Sequence, residues 1–193
     1  MLRCVYTPIL GVLLFSLPLA AGAAPQTQKP RVNANATVLK DFMKRVDDYV
    51  ALHKKLEDTL PRLSKQTDPK EIDTHQRALL KLIQDGRKGV KPGAILTPAM
   101  QRLVRTLLRP IFSGKDGLQI KDEILDKEFK GNVTLAVNGR YPDEVPISTV
   151  PPQVLGALPK LPEDLEYRFI RNSLILFDNH AHIIVDFMDR AFT

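Results

Sequence analysis

Residues 167–188 read YRFIRNSLILFDNHAHIIVDFM, and this stretch decides the fold. It contains three short runs rich in β-branched and aromatic residues, YRFI, SLILFD and HIIVDFM, and such runs are typical of β-strands. Arg171-Asn172 separates the first two runs and Asn179-His180-Ala181 separates the last two, so both are predicted turns. The stretch therefore predicts a small antiparallel meander.

The chain before this meander shows the three- and four-residue apolar spacing of amphipathic helices. Four helices are predicted, and they begin at Thr37, Asp68-Pro69, Thr97-Pro98 and Leu118. The predicted ends are Pro61, Gly86 to Gly89, Pro110 with Ser113-Gly114, and Phe129. Asp68 can cap the second helix, with Pro69 in its first turn and Glu71 completing a capping box. A proline ends a helix because it removes a backbone hydrogen bond.

The segment between the helices and the meander predicts one further strand and a long loop. Residues 133–137, VTLAV, alternate large and small side chains before an Asn138-Gly139 turn, which is typical of a strand. The proline-rich segment 142–162 indicates a loop with one helical turn near residues 152–157. The predicted fold class is therefore α+β, with an N-terminal hairpin or bundle of three to four helices followed by a small antiparallel β-meander.

The start of the chain has the composition of a secretory signal peptide. Arg3 supplies a positive charge, an apolar run follows it, and Ala21-Gly22-Ala23 gives small residues before the cleavage point. The apolar run is too short to span a membrane well. We therefore expect an exported protein, located in the bacterial periplasm or secreted, with no transmembrane segment after the signal is removed.

The chain is accordingly divided into three parts. Residues 1–23 form the predicted signal peptide, and residues 24–36 are polar and form a predicted flexible leader. Residues 37–193 are long enough for one domain with its own core. That domain is predicted to be helical over 37–130 and β-rich over 131–193.

The amino-acid composition excludes several classes of function for this chain. The chain has 28 Lys and Arg against 22 Asp and Glu, a net charge of +6, and the cations are scattered among the acids. Together with export, this predicts another envelope protein or an anionic surface as partner, and not nucleic acid. The single cysteine, Cys4, lies in the signal, so the mature chain has no disulfide and no cysteine metal ligand. The sequence contains no glycine-rich phosphate loop, serine nucleophile elbow or zincin helix.

The four histidines are the candidate metal ligands. His53 and His75 lie on the predicted apolar faces of the first two helices, and an antiparallel hairpin lets them meet and bind a metal. The competing interpretation makes each a buried histidine satisfied by nearby polar groups. His180 and His182 form a His-x-His pair that chelates a metal only if both lie on one strand face, whereas His180 is expected in a turn. No cofactor is predicted, and a divalent transition metal is the alternative.

Two other groups of charged residues are candidates. Arg102, Arg105 and Arg109 form a basic stripe on the third helix, which can bind an acidic partner or simply face solvent. Asp178 and Asp186 flank the last turn and offer a carboxylate pair for acid–base chemistry. Asp178 fits better as a turn-forming residue.

The C-terminal segment VPPQVLGALPKLPEDLEYRFIRNSLILFDNHAHIIVDFMD resembles the ending of small exported bacterial proteins of unknown function. The matching pieces are Leu161-Pro162 to Arg168, Leu174 to Asp178, and Ile184 to Asp186. This resemblance implies a fold and a compartment and supplies no activity. The meander is also similar, over a short stretch, to RcnB-type periplasmic proteins of nickel and cobalt homeostasis, which are shorter and lack the helical half.

Three functional hypotheses follow from these observations. The first is a non-catalytic exported module that binds a partner or an envelope assembly. The second is a periplasmic metal-binding protein that uses His53 and His75. The third is a hydrolase whose site is assembled from distant residues and has no sequence motif.

Overall fold

The computed structural model describes residues 33–63, 68–125, 133–146 and 149–192. Within these ranges the helices are α1 (Ala34–Glu57), α2 (Pro69–Gly86), α3 (Pro98–Phe112), α4 (Gly117–Ile124) and α5 (Pro152–Ala157). The strands are β1 (Gly139–Arg140), β2 (Leu165–Ile170), β3 (Ser173–Asp178) and β4 (Ile183–Met188). The protein is thus α+β, with helices first and an antiparallel sheet at the C-terminal end. The described residues belong to one compact unit, Val32–Thr193.

The predicted meander is confirmed. β2, β3 and β4 pair antiparallel in sequence order, and β1 adds to the free edge of β4, which gives the sheet order β1-β4-β3-β2. The turn after β2 places Arg171 in the left-handed region with φ 55°, and the turn before β4 does the same for His182 with φ 54°. Both turns lie where the sequence predicted them.

Strand β3 is buried along its whole length because both faces of the sheet are covered. Leu174 and Leu176 face the main core, which includes apolar residues of α1, α2 and α3. Ile175 and Phe177 face a second, smaller cluster formed with Tyr141 and its neighbours. A strand covered on both faces is expected to be a continuous apolar run, as SLILF is, and not an alternating one.

The strand predicted over residues 133–137 is wrong. Residues 133–136 have no regular structure, and β1 begins after the turn, at Gly139. Val133 and Leu135 instead pack against the second cluster on the outer face of the sheet. The alternating pattern of residues 133–137 therefore arises because side chains pack over the sheet, not because the backbone pairs as a strand. Backbone pairing with β4 begins only at Asn138, whose N–H donates to the carbonyl of Ile184.

Several predicted helix boundaries also change. α1 begins at Ala34 and not at Thr37, because the side chain of Asn33 caps it by accepting from the N–H of Asn35, so the last residues of the predicted leader are helical. α1 also ends at Glu57, before the predicted Pro61. α3 continues through Pro110, although proline removes a hydrogen bond, and ends at the buried Phe112, just before the predicted Ser113-Gly114. Helix α4 ends at Ile124, and its predicted end lies outside the described residues, as do residues 1–32.

The Asp68 cap, the start of α3 at Thr97-Pro98 and the loop helix are confirmed. The side chain of Asp68 accepts from the N–H of Lys70, and that of Thr97 accepts from the N–H of Met100. The helical turn predicted within the proline-rich segment is α5. In the part of the chain that the structure describes, no helix is both long and apolar enough to cross a membrane.

Candidate metal centre

A buried network joins the C-terminal half of α1 to the end of β3. Tyr49, His53 and Glu57 are spaced four residues apart, so α1 presents all three on one face. Asp178 is the last residue of β3, and its side chain is fully buried. Its Oδ2 lies 2.6 Å from His53 Nδ1 and accepts a 2.5 Å hydrogen bond from the Tyr49 hydroxyl.

The other oxygen of Asp178 closes the turn that follows β3. Oδ1 accepts hydrogen bonds from the N–H of His180 at 3.0 Å and from the N–H of Ala181 at 2.8 Å. The prediction of a turn-forming Asp178 is therefore confirmed. The same carboxylate also fixes the rotamer of His53, so one residue links the turn to the first helix.

The charges in this network favour an ion pair between Asp178 and His53. Burial lowers the pKa of His53, but hydrogen bonding and charge attraction from Asp178 and Glu57 outweigh it and raise the pKa overall. Burial alone raises the pKa of Asp178, and the bonds from His53, Ala181 and Tyr49 more than reverse this. Burial beside Asp178 raises the pKa of Tyr49 far above its usual range, so the hydroxyl keeps its proton.

Glu57 joins His53 to a second imidazole nearer the surface. One oxygen of Glu57 is 3.1 Å from His53 Nε2, and the other is 3.1 Å from His180 Nδ1. The two imidazole rings are 5.4 Å apart between centroids. The side chain of His180 is 46% exposed and that of Glu57 is 30% exposed, whereas His53 is fully buried. The network therefore runs from the protein core to solvent.

Asp164 completes a set of donor atoms that can hold a metal ion. One donor atom each from His53, Asp164 and His180 lie within 4.8 Å of one another. Two ligands of one zinc ion, each at about 2.0–2.2 Å, are at most about 4.4 Å apart, so this separation is close to that of atoms that share one ion. Lys54 Nζ is 3.5 Å from Asp164 and partly neutralises it.

Asp178 has the position of an outer partner of a metal-bound histidine. Metal-ligating histidines almost always donate their second ring N–H to a carboxylate, a backbone carbonyl or a water, which orients the ring and raises its basicity. Asp178 accepts at His53 Nδ1 and leaves Nε2 directed toward Glu57 and His180. Loss of the Nε2 proton and displacement of Glu57 would expose a nitrogen lone pair at this point.

The structure groups the four histidines differently from the pairs that the sequence predicted. It places His53 with His180, one member from each predicted pair. His75 is half-buried on α2 and does not belong to the donor group found among the described residues. His182 turns away from His180 and makes edge contacts with the rings of Tyr141 and Phe177, and burial lowers its pKa.

Three of the other charged candidates, Asp178, Asp186 and Arg105, have structural partners. Asp178 and Asp186 are not used as a pair, because Asp186 accepts from the backbone N–H groups of Gly93, Ile95 and Leu96. Arg105 donates to the backbone carbonyls of residues 189 and 190. Arg102 and Arg109 are exposed on α3.

Sequence reasoning missed Glu57 and Asp164. Glu57 was detectable, since it follows His53 at the four-residue spacing that places two side chains together on a helix. Asp164 precedes β2 in a proline-rich segment, and nothing local distinguishes it from other loop acids.

Comparison with known proteins adds no family to this description. No protein-family model matches the chain, and searches of curated proteins and of solved structures gave no significant match. The resemblance to small exported proteins of unknown function therefore stays a prediction.

Proposed function

We propose that this chain is a non-catalytic binding protein whose ligand is a divalent transition metal. His53, Asp164 and His180 are the proposed ligands, with Glu57 as the fourth donor. The observation that carries the proposal is the convergence of three donor atoms within 4.8 Å. The orientation of the innermost imidazole by the buried Asp178 carboxylate supports it.

The donor set indicates the class of metal. Two imidazoles and one or two carboxylates suit zinc, nickel, cobalt or copper, whereas calcium and magnesium prefer oxygen ligands alone. With both imidazoles neutral, two carboxylates also balance the charge of a divalent ion. Because the imidazoles must lose protons to bind, affinity is expected to rise with pH.

The same geometry gives less support to the hydrolase hypothesis. A general base needs a free lone pair near the substrate. Both ring nitrogens of His53 already face carboxylates, Asp178 at 2.6 Å and Glu57 at 3.1 Å, and the side chain is fully buried. Metal binding only requires Glu57 and His180, which are partly exposed, to rearrange.

Calorimetric titration of the EDTA-treated protein with zinc, nickel, cobalt and copper tests the proposal. We expect one ion per chain to bind with a dissociation constant below about 1 mM, which corresponds to about −4 kcal/mol. His180→Ala is expected to weaken binding at least tenfold, because it removes the exposed imidazole ligand. His75→Ala and His182→Ala are matched controls and are expected to change the affinity less than twofold.

Two outcomes contradict this proposal. One is the absence of binding tighter than about 1 mM for all four ions. The other is an equal loss of affinity in His180→Ala and His75→Ala, which would place the metal elsewhere. His180 is chosen over His53 because it is exposed, so its substitution leaves the core intact.

We also propose that the protein acts outside the cytoplasm, in the periplasm or as a secreted protein. Arg3, the apolar run after it and the small residues before Ala24 support this assignment. Its expected partner is another envelope protein or an anionic surface. When the full chain is expressed in a bacterium, intact-mass measurement of the exported fraction is expected to give a protein that begins at Ala24. Full-length protein confined to the cytoplasm contradicts export.

A further inference from the structure

A basic cleft lies on another part of the molecule, at the end of α3. Its volume is about 290 Å³, and residues of α3, α4 and the segment after β4 line it. The lining residues are Arg105, Arg109, Phe112, Ser113, Lys121, Arg190, Ala191 and Phe192. Arg102, the remaining member of the predicted basic stripe, is not part of this cleft.

The cleft concentrates positive charge. Four of the eight lining residues are cations, and none of these eight described residues carries a carboxylate side chain. The nearby carboxylate of Asp189 accepts a hydrogen bond from the Ser173 hydroxyl at 2.9 Å. Arg105, Arg109 and Arg190 bring three like charges into one cavity, which favours an anionic ligand there.

Helix dipoles explain why some of these cations are favourable at their positions, but not all of them. Arg109 and Lys121 lie in the last turns of α3 and α4, where a cation is favourable without any ligand. Arg190 lies in no helix and adopts a left-handed backbone conformation with φ 50°. This conformation is unfavourable for a non-glycine residue, and here it brings a further guanidinium to the cleft.

The cleft is held in place before any ligand binds. Arg105 Nε donates to the carbonyl of Arg190 at 3.0 Å, and its Nη2 donates to the carbonyl of Asp189 at 2.8 Å. The rings of Phe112 and Phe192 are in contact, with centroids 4.5 Å apart, and form an apolar wall. Fixed donors beside an apolar wall are typical of small-ligand sites.

We propose that this cleft binds a phosphoryl group, carried by a phosphate monoester or by an anionic phospholipid headgroup. The guanidinium groups of Arg109 and Arg190, which come from two segments, suit the several oxygens of a phosphate because arginine binds such groups through paired N–H donors, and Arg105 adds positive charge beside them. The apolar wall takes the carbon part of the same ligand. The site is separate from the proposed metal centre and does not depend on it.

Equilibrium binding to the purified protein in EDTA tests this inference, with inorganic phosphate, glycerol 3-phosphate and citrate as soluble probes. Phosphatidylglycerol vesicles, compared with phosphatidylcholine vesicles, are the membrane probe. Arg109→Gln and Arg190→Gln are each expected to weaken phosphoryl binding at least tenfold. Arg102→Gln removes the same charge from the same helix outside the cleft and is expected to weaken it less than twofold.

The outcomes separate the sources of the ligand. Binding of glycerol 3-phosphate that is sensitive to Arg109→Gln assigns a soluble phosphate ester. Binding only to phosphatidylglycerol vesicles, with the same sensitivity, assigns a lipid headgroup. The inference is overturned if Arg102→Gln and Arg109→Gln weaken binding equally, if citrate binds more tightly than every phosphoryl probe, or if no phosphoryl probe binds.

Discussion

Asp178→Asn is expected to lower the free energy of unfolding by about 3 kcal/mol, because it leaves a buried charge and buried donors without their acceptor. Each oxygen of Asp178 accepts from two donors, which are Tyr49 and His53 at Oδ2, and two backbone N–H groups at Oδ1. An asparagine has one acceptor oxygen, and its NH₂ group must face one of these donor pairs. The His53 imidazolium also loses the nearer and more deeply buried of its two carboxylate partners.

Urea unfolding of the metal-free protein measures this change as a shift in midpoint at constant slope. Glu57→Gln is the matched control, since it removes a carboxylate from the same imidazole at the partly exposed end of the network. We expect the control to cost less than about 1 kcal/mol. A loss in Asp178→Asn no larger than in the control would mean that the buried ion pair does not stabilise the fold.

The effect of Asp178→Asn is also expected to depend on pH. The folded-state pKa of His53 is raised, so its stabilisation is full below its unfolded pKa of about 6.5 and disappears as pH rises through the raised value. The folded-state pKa of Asp178 is lowered, so its contribution is present above about pH 3.9 and disappears as pH falls through the lowered value. The difference between wild type and Asp178→Asn should therefore be greatest between about pH 4 and 6.5. A difference that does not shrink as pH rises above the unfolded value of about 6.5 contradicts the ion pair.

The local elements of this fold were predictable because their signals are local. β-prone runs separated by turn residues gave β2, β3 and β4, and the Asp68-Pro69 and Thr97-Pro98 pairs gave the starts of α2 and α3. The strand over residues 133–137 was wrong because alternating burial is common to a paired strand and to an extended segment that covers a sheet.

The candidate metal centre was predictable only in part. His53 was identified, because a histidine on an apolar helix face requires a polar partner in the core. Its partner Asp178 lies 125 positions along the chain, and His180 reaches the same Glu57 from 123 positions away. The packing of α1 against the sheet decides which residues that are this far apart in sequence come into contact. The hairpin argument that favoured His75 did not include the sheet.

The role of Asp186, which is purely structural, could not be predicted from its sequence neighbours either. It lies on β4, where a register shift against β3 occurs between Leu176 and Phe177. Its fully buried carboxylate reaches the loop between α2 and α3. Oδ2 accepts from the N–H groups of Ile95 at 2.7 Å and Leu96 at 2.9 Å. Oδ1 accepts from the N–H groups of Gly93 and Phe187, each at 2.9 Å.

Asp186→Asn is therefore expected to destabilise the protein by about 3 to 4 kcal/mol, more than Asp178→Asn. All four donors at Asp186 are backbone amides, which cannot reverse their direction, whereas at Asp178 the Tyr49 hydroxyl can rotate and His53 can change tautomer. The asparagine NH₂ group must then face two of these N–H groups in either orientation. The loop is expected to separate from the sheet before global unfolding, so hydrogen exchange at Gly93, Ile95 and Leu96 should accelerate most.

Asp189→Asn is the matched control for this substitution. Asp189 lies just beyond β4 and accepts from one hydroxyl, that of Ser173, which an asparagine oxygen can still satisfy. We expect this control to cost less than about 1 kcal/mol, because Asp189 is exposed and the substitution keeps its one side-chain acceptor role. Equal losses in the two variants, or unchanged exchange at Ile95 and Leu96, would show that Asp186 does not hold the loop. The expected pattern would assign this carboxylate to joining the helical half to the meander.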